Sequence, residues 1–225
     1  MIISKPIFVK GKAYCQASRR MSKSNIHPKV RSKLQNDPVM AGIIAKINLP
    51  DNTSTGNVYH DLIKSITSQQ LSTKVAKVIF GRFTNLFDGV PPEPQQLFET
   101  EHEMLRSVGY SNQKARYIRN VAEFFLDKEQ EYDYWVKYTD DEIIEMLTKI
   151  KGVGKWTVEM ILIASLERPD VMPLDDLGIQ MGIKQFYNLK EEKKELKKKM
   201  IDISNNWRPY RSIACRYIWA AKDLV

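Results

Sequence analysis

Two adjacent carboxylates, Asp175 and Asp176, lie in the segment Pro173-Leu174-Asp175-Asp176-Leu177-Gly178-Ile179, just before an apolar-periodic stretch that reads as a helix through Tyr187. An aspartate at such a point caps the helix, and the positive end of the helix dipole favours its ionised form. A carboxylate held this way suits cleavage of an N-glycosidic bond, whose transition state resembles an oxocarbenium ion that nearby negative charge stabilises. Capping and chemistry are compatible roles, and this segment alone does not choose between them. About twenty residues upstream is Lys151-Gly152-Val153-Gly154-Lys155. Two glycines one residue apart allow a turn that β-carbons would obstruct, and they leave amide N–H groups uncovered at the start of the next helix. Such a helix end attracts a phosphate oxygen, through a contact that is independent of base sequence. The same five residues would equally serve as an ordinary connection between two helices.

The elements that must position these groups read as helices throughout. Apolar residues Leu62, Ile63, Ile66, Val75, Ile79 and Phe83 predict one or two amphipathic helices over 60–87, before the Pro91-Pro92-Glu93-Pro94 cluster. A short helix follows over 96–108, ended by Gly109, and a longer one over 112–127. Thr139 with Glu142 three residues later is a capping-box start. That helix runs to Ile150, so the hairpin spans about 142–166 with an apolar second helix from Trp156. No stretch alternates with period two. The expectation is an all-α fold of about ten helices.

Composition narrows the class. The 225 residues carry a net charge of +8, but the nine lysines and arginines of residues 1–33 meet no acid there. From position 34 onward 26 basic residues face 27 acidic ones, so any nucleic-acid surface on the folded part must be a local patch. Residues 1–33 are expected to be a flexible basic arm, with a phosphate-binding arm and an organelle transit peptide (mitochondrial targeting included) as other readings of the same composition. The folded domain is placed at 34–225. Two distant cysteines, Cys15 and Cys215, and three scattered histidines predict neither a metal site nor a disulfide. No cofactor is expected. The longest apolar run, 158–166, is far short of a membrane span and is interrupted by Glu159, so a soluble protein is expected. The alternating charges of 190–199 read as a solvated helix face.

Taken in order, KGVGKWTVEMIL, PLDDLGIQ and the near-C-terminal WRPYRSIACRYIW resemble the helix-hairpin-helix (HhH-GPD) DNA glycosylase superfamily, and within it the yeast-type 3-methyladenine branch. The resemblance covers about residues 34–225. It implies a two-lobed helical fold with the active-site cleft between the lobes and no N-terminal β subdomain. It makes Asp176 the catalytic carboxylate, and Trp156 and Trp219 the aromatic walls of the base pocket. It places Gln70 and Leu71 where the family inserts a wedge into the minor groove. Tyr110 and Ser111 fall in the loop that probes the opposite strand, and Gly152, Val153, Gly154 and Lys155 form the phosphate-binding hairpin. Trp156 stands where lyase-competent members carry a catalytic lysine, and Lys155 is one position early, so base release without strand cleavage is implied. The Trp207–Ser212 signature reads as structural, with Ser212 available to cap the last helix.

The expected function is therefore a monofunctional DNA glycosylase of base excision repair. It would act on flipped-out alkylated purines such as 3-methyladenine and 7-methylguanine, as a nuclear monomer on damaged or abasic duplex DNA. The alternative is a catalytically weak or inactive homologue that binds and sculpts abasic or damaged DNA. Ser72, where some relatives carry a larger side chain beside the wedge, keeps that alternative open.

Overall fold

A computed structural model describes residues 26–49, 56–128 and 132–222; the basic arm as far as residue 25 lies outside the described residues. Among those described there are thirteen helices and no strand. The folded part begins earlier than the expected boundary at 34. Helix α1 (Pro28–Gln35) starts on a proline at its first position, where the missing N–H costs nothing, and buries Leu34.

Two hydrophobic cores divide the molecule. The larger is built by α3 (Val58–Ser68), α4 (Thr73–Asn85), α5 (Pro94–Glu99), α6 (His102–Ser107), α7 (Asn112–Phe124), α8 (Tyr132–Trp135), α9 (Asp140–Thr148) and α10 (Lys155–Ala164). The smaller joins α1 and α2 (Pro38–Lys46) to the C-terminal helices α11 (Leu177–Phe186), α12 (Lys193–Asn205) and α13 (Arg211–Ala221). The chain returns to the smaller lobe between Val171, which belongs to the first core, and Met172, which belongs to the second. Asp176 follows four residues after that crossing, which places the acidic motif at the seam between lobes.

Polar side chains tie the smaller lobe together and anchor the crossing segment to it. Asp37 caps α2 through Oδ1, accepting from the N–H of Val39 at 2.9 Å. Its Oδ2 accepts from the Tyr187 hydroxyl at 2.6 Å and the Trp207 indole at 3.0 Å. The start of the smaller lobe is thereby tied to its end. Asp170, on the crossing segment, accepts from Arg208 Nη1 at 2.6 Å and Arg211 Nε at 2.7 Å. The Trp207–Ser212 signature is thus structural, although Ser212 does not cap α13. It is buried and accepts from the N–H of Val171 at 2.9 Å, while its own N–H donates to Pro169 O at 3.0 Å. The residue that looks like a local cap holds the crossing segment forty residues away in sequence.

The predicted helix over 96–108 is two. Thr100 turns extended (φ −67°, ψ 131°) and its hydroxyl donates to Gln96 O at 2.7 Å, so α5 ends there and α6 restarts after Glu101. A threonine that bonds backwards competes with continuation of the helix. The capping box at Thr139 is present as expected: Glu142 N–H donates to the Thr139 hydroxyl at 3.3 Å, and Thr139 N–H donates to Glu142 Oε2 at 2.7 Å.

Candidate active site

Asp176 is the N-cap of α11 and is 8% exposed. Oδ1 accepts from the N–H of Ile179 at 2.8 Å and from the Trp219 indole at 2.9 Å, and Oδ2 accepts from the Trp156 indole at 2.8 Å. Trp156 comes from α10 in the larger lobe and Trp219 from α13 in the smaller, so one carboxylate gathers both lobes. Every hydrogen bond it makes is an acceptance. Two of the four tryptophans, Trp135 and Trp207, are fully buried. Trp156 is 37% exposed and Trp219 is half-buried, packed against both cores. Neither is an ordinary core residue: the two that remain partly open are the two bonded to Asp176. Gly178 makes this possible, because a β-carbon there would lie 3.1 Å from Asp176 Oδ1 and 3.2 Å from Trp219 Cδ1.

The hairpin leads into α10. Gly152 has φ +106° and faces the Tyr117 ring, whereas Gly154 is the N-cap of α10 with φ −93° and open space where a β-carbon would stand. Val153 between them is 5% exposed and anchors the turn in the larger core. The N-terminus of α10 has no side-chain cap, so its first N–H groups face outward unpaired within the helix. Lys155 is exposed, with Nζ 3.8 Å from Glu159 Oε1.

Gln70 and Leu71 occupy the turn between α3 and α4, not a helix, and Gln70 is held at φ +59°. A non-glycine residue in that region is strained unless its surroundings enforce the conformation. Lys114 enforces it. Reaching from α7, its Nζ donates to Thr67 O at 2.8 Å and Gln69 O at 2.6 Å, and burial lowers its pKa. Ser72 caps α4, accepting from the N–H of Val75 at 3.4 Å. In the reading that seats this turn in the minor groove, Lys114→Met should let it relax and weaken affinity for an abasic duplex about tenfold, the effect of removing charge-assisted hydrogen bonds, with Lys114→Arg restoring part of it. Fluorescence anisotropy would measure this, and unchanged affinity would remove Lys114 from the turn's support.

In the expected opposite-strand loop the structure separates the two residues: Tyr110 is buried and Ser111 is exposed. Tyr110 is 2% exposed, its hydroxyl lies 2.7 Å from Thr67 Oγ1, and its ring packs edge-on against Phe83. It supports the turn from beneath and presents nothing to solvent. Ser111 is exposed but caps α7, accepting from the N–H of Lys114 at 3.2 Å.

Residues 63–209 match the model of the HhH-GPD superfamily base excision DNA repair proteins. The chain belongs to that superfamily. DNA-3-methyladenine glycosylase 1 of Schizosaccharomyces pombe is 36% identical over 172 residues, covering 74% of this chain and 73% of the relative. The alkylbase DNA glycosidase-like protein mag2 of the same organism is 37% identical over 171 residues, covering 74% and 78%. A solved structure of the S. pombe 3-methyladenine DNA glycosylase in complex with abasic DNA superposes with a TM-score of 0.78 at 32% identity, covering 88% of this chain and 98% of that one. Trp219 lies beyond the matched span of the HhH-GPD model, so its place rests on its bond to Asp176 in this chain.

Within the family frame, sequence reasoning missed three groups. Lys114 and Asp170 act across 45 and 41 residues respectively, and no local pattern marks them. Glu159 did carry a signal, as the acid that interrupts the apolar run of α10. It is 5% exposed, and burial pushes its carboxyl up to about 7. Because the folded state holds that proton more tightly than an ordinary carboxyl at 4.5, its ionisation opposes folding. Stability from this group falls as pH rises from 4.5 through about 7 and is level beyond.

Proposed function

We propose that this protein is a monofunctional DNA glycosylase of base excision repair that hydrolyses the N-glycosidic bond of alkylated purines. The observation that carries the reading is the Asp176 carboxylate held between the lobes by two indole N–H groups and one backbone N–H. The relatives named as 3-methyladenine glycosylases supply the substrate class. In this reading a purine rotates out of the duplex and lies against Trp156 and Trp219, whose ring faces favour a cationic N-alkylated base over a neutral one. As the bond to C1′ breaks, the base leaves with the electron pair and the sugar becomes oxocarbenium-like. Asp176 opposes that positive charge, and water adds to C1′ while giving up a proton. A cationic leaving group needs no separate acid, and with tryptophan at the lyase-lysine position no amine adds to the sugar.

Leu71 fills the gap left by the rotated base, offsetting part of the few kcal/mol that flipping costs. The hairpin Gly152–Lys155 receives a phosphate of the same strand. Leu71→Ala should weaken binding to an abasic duplex about tenfold; unchanged affinity would retire the wedge assignment. The likeness to the S. pombe relatives supports action in the nucleus, which fluorescence imaging of the full chain tests.

The test of activity is single-turnover release of 3-methyladenine and 7-methylguanine from methylated duplex DNA. Release supports the enzyme. No release, with tight binding to abasic DNA, would support the second reading of a recognition protein that sculpts damaged DNA. That reading has one specific support: the 37%-identical relative is named only as glycosidase-like.

A further inference from the structure

The second turn of α10 carries a second carboxyl. Glu159 lies three residues from Trp156 and four from Lys155, so all three share one face of the helix. Its side chain is only 7% exposed. Oε1 faces Lys155 Nζ at a loose 3.8 Å, and Oε2 is buried with no hydrogen-bond partner among the described residues. Burying an acid so poorly satisfied is costly, and replacing it with an apolar residue of similar size would remove the cost. Its neighbours on α10, Val158, Ile161, Leu162 and Ile163, are all apolar and buried.

The titratable groups around it come from four parts of the chain. Lys155 lies on its own helix, Asp175 and Asp176 precede α11, and Lys197 comes from α12, where it pairs with Asp175. From α13, the fully buried Cys215 thiol is raised first by burial, and both Asp176 and Glu159 add to the rise. Trp156, one turn before Glu159 on the same face of α10, donates its indole N–H to Asp176 Oδ2 at 2.8 Å, so one side chain stands between the two carboxyls.

We propose that Glu159 is a second acid of the site, whose negative charge adds to that of Asp176 in holding a positively charged flipped nucleotide. It does not touch the substrate; it sets the field behind Trp156 and Asp176. Burial, the largest influence, raises its carboxyl to about 7, opposed by Lys155. Below that pH Glu159 is neutral and the cleft carries one negative charge fewer; as pH rises through it, the charge appears. The preference of the site for a cation therefore grows with pH across this window. The inference rests on the proposal that the site holds a cationic nucleotide, but its test needs no turnover.

Two duplexes serve as probes: one with a tetrahydrofuran in place of the target nucleoside, which is uncharged, and one with a pyrrolidine, whose ring amine carries a proton. The ratio of their affinities at fixed salt cancels contacts to phosphates. For the wild type this ratio is expected to rise about fivefold to tenfold between about pH 6 and 8, the size of one added charge near a cation at an effective dielectric constant of about 20. Glu159→Gln, nearly the same shape, should give a low ratio that does not change with pH. Lys155→Met removes the opposing cation and should move the midpoint of the rise to higher pH, which keeps the test decisive if the Gln variant misfolds. A flat wild-type ratio, a rise that persists in Glu159→Gln, or a midpoint unmoved in Lys155→Met would each overturn the inference. A protein that releases no alkylated base yet shows the pH-dependent ratio would refute the glycosylase proposal and leave this one standing.

Discussion

Asp176→Asn should lower single-turnover base release by at least about a hundredfold, the scale of removing one preorganised electrostatic partner from a transition state, while affinity for an abasic duplex stays within about threefold. Asparagine caps a helix about as well as aspartate. Its carbonyl oxygen can therefore keep the bonds from Ile179 N–H and the Trp219 indole that Asp176 Oδ1 now accepts. The amide nitrogen then meets the Trp156 indole, donor against donor, where Oδ2 now accepts at 2.8 Å. Trp156 is 37% exposed, so water can take up its freed N–H, and the loss falls at the low end of about 1–3 kcal/mol. Thermal unfolding should shift by only a few degrees. Asp176→Ala is a poorer test, because it also removes the cap. Retention of more than a tenth of wild-type release in Asp176→Asn would exclude Asp176 as the charge that opposes the oxocarbenium ion.

What the sequence made legible depends on how far each signal reaches. The capping box of Thr139 and Glu142, the cap of Asp176 and the glycine turn at 152 are local: the residues that make each contact lie within three positions of one another, or the backbone itself sets the constraint. Tyr110 shows the opposite case. Its burial is decided by Thr67, 43 residues away, and by Phe83, so a motif read locally as a probing loop is a support under the 69–72 turn. Lys114 and Ser212 follow the same rule, each bonding backbone more than forty residues distant. The break between α5 and α6 was local but weak, a single threonine bonding to its own helix. Glu159 shows an intermediate case. The sequence displays the anomaly of an acid in an apolar run, and only the fold shows that the acid is buried and within the influence of Asp175, Asp176 and Lys197.

The two hairpin glycines should respond oppositely to the same substitution. At Gly152 a β-carbon would lie 2.2 Å from Tyr117 Cγ and 2.6 Å from each Cδ atom, at φ +106°, a backbone that other residues rarely adopt. Strain and overpacking together make Gly152→Ala cost roughly 3–5 kcal/mol, a large part of the ~5–15 kcal/mol that holds a typical domain folded. In a chain of this size that is a fall of about 10 °C or more in unfolding temperature. Tyr117→Ala added to it should recover the steric part but not the backbone part, so the two changes will not add. Gly154 is different. Its φ of −93° suits any residue and nothing stands within 4 Å of the missing β-carbon. Gly154→Ala should cost under about 1 kcal/mol as a weaker N-cap, and calorimetry should find it almost as stable as the wild type. The space is open at the uncapped start of α10, where outward N–H groups would meet a phosphate oxygen. A methyl group there obstructs that approach, and affinity for an abasic duplex should fall about tenfold, the loss of one charge-assisted hydrogen bond. Equal affinity in Gly154→Ala would mean that the turn joins two helices and does nothing more; reduced affinity on an intact fold would separate the glycine that builds the hairpin from the glycine that leaves room for DNA.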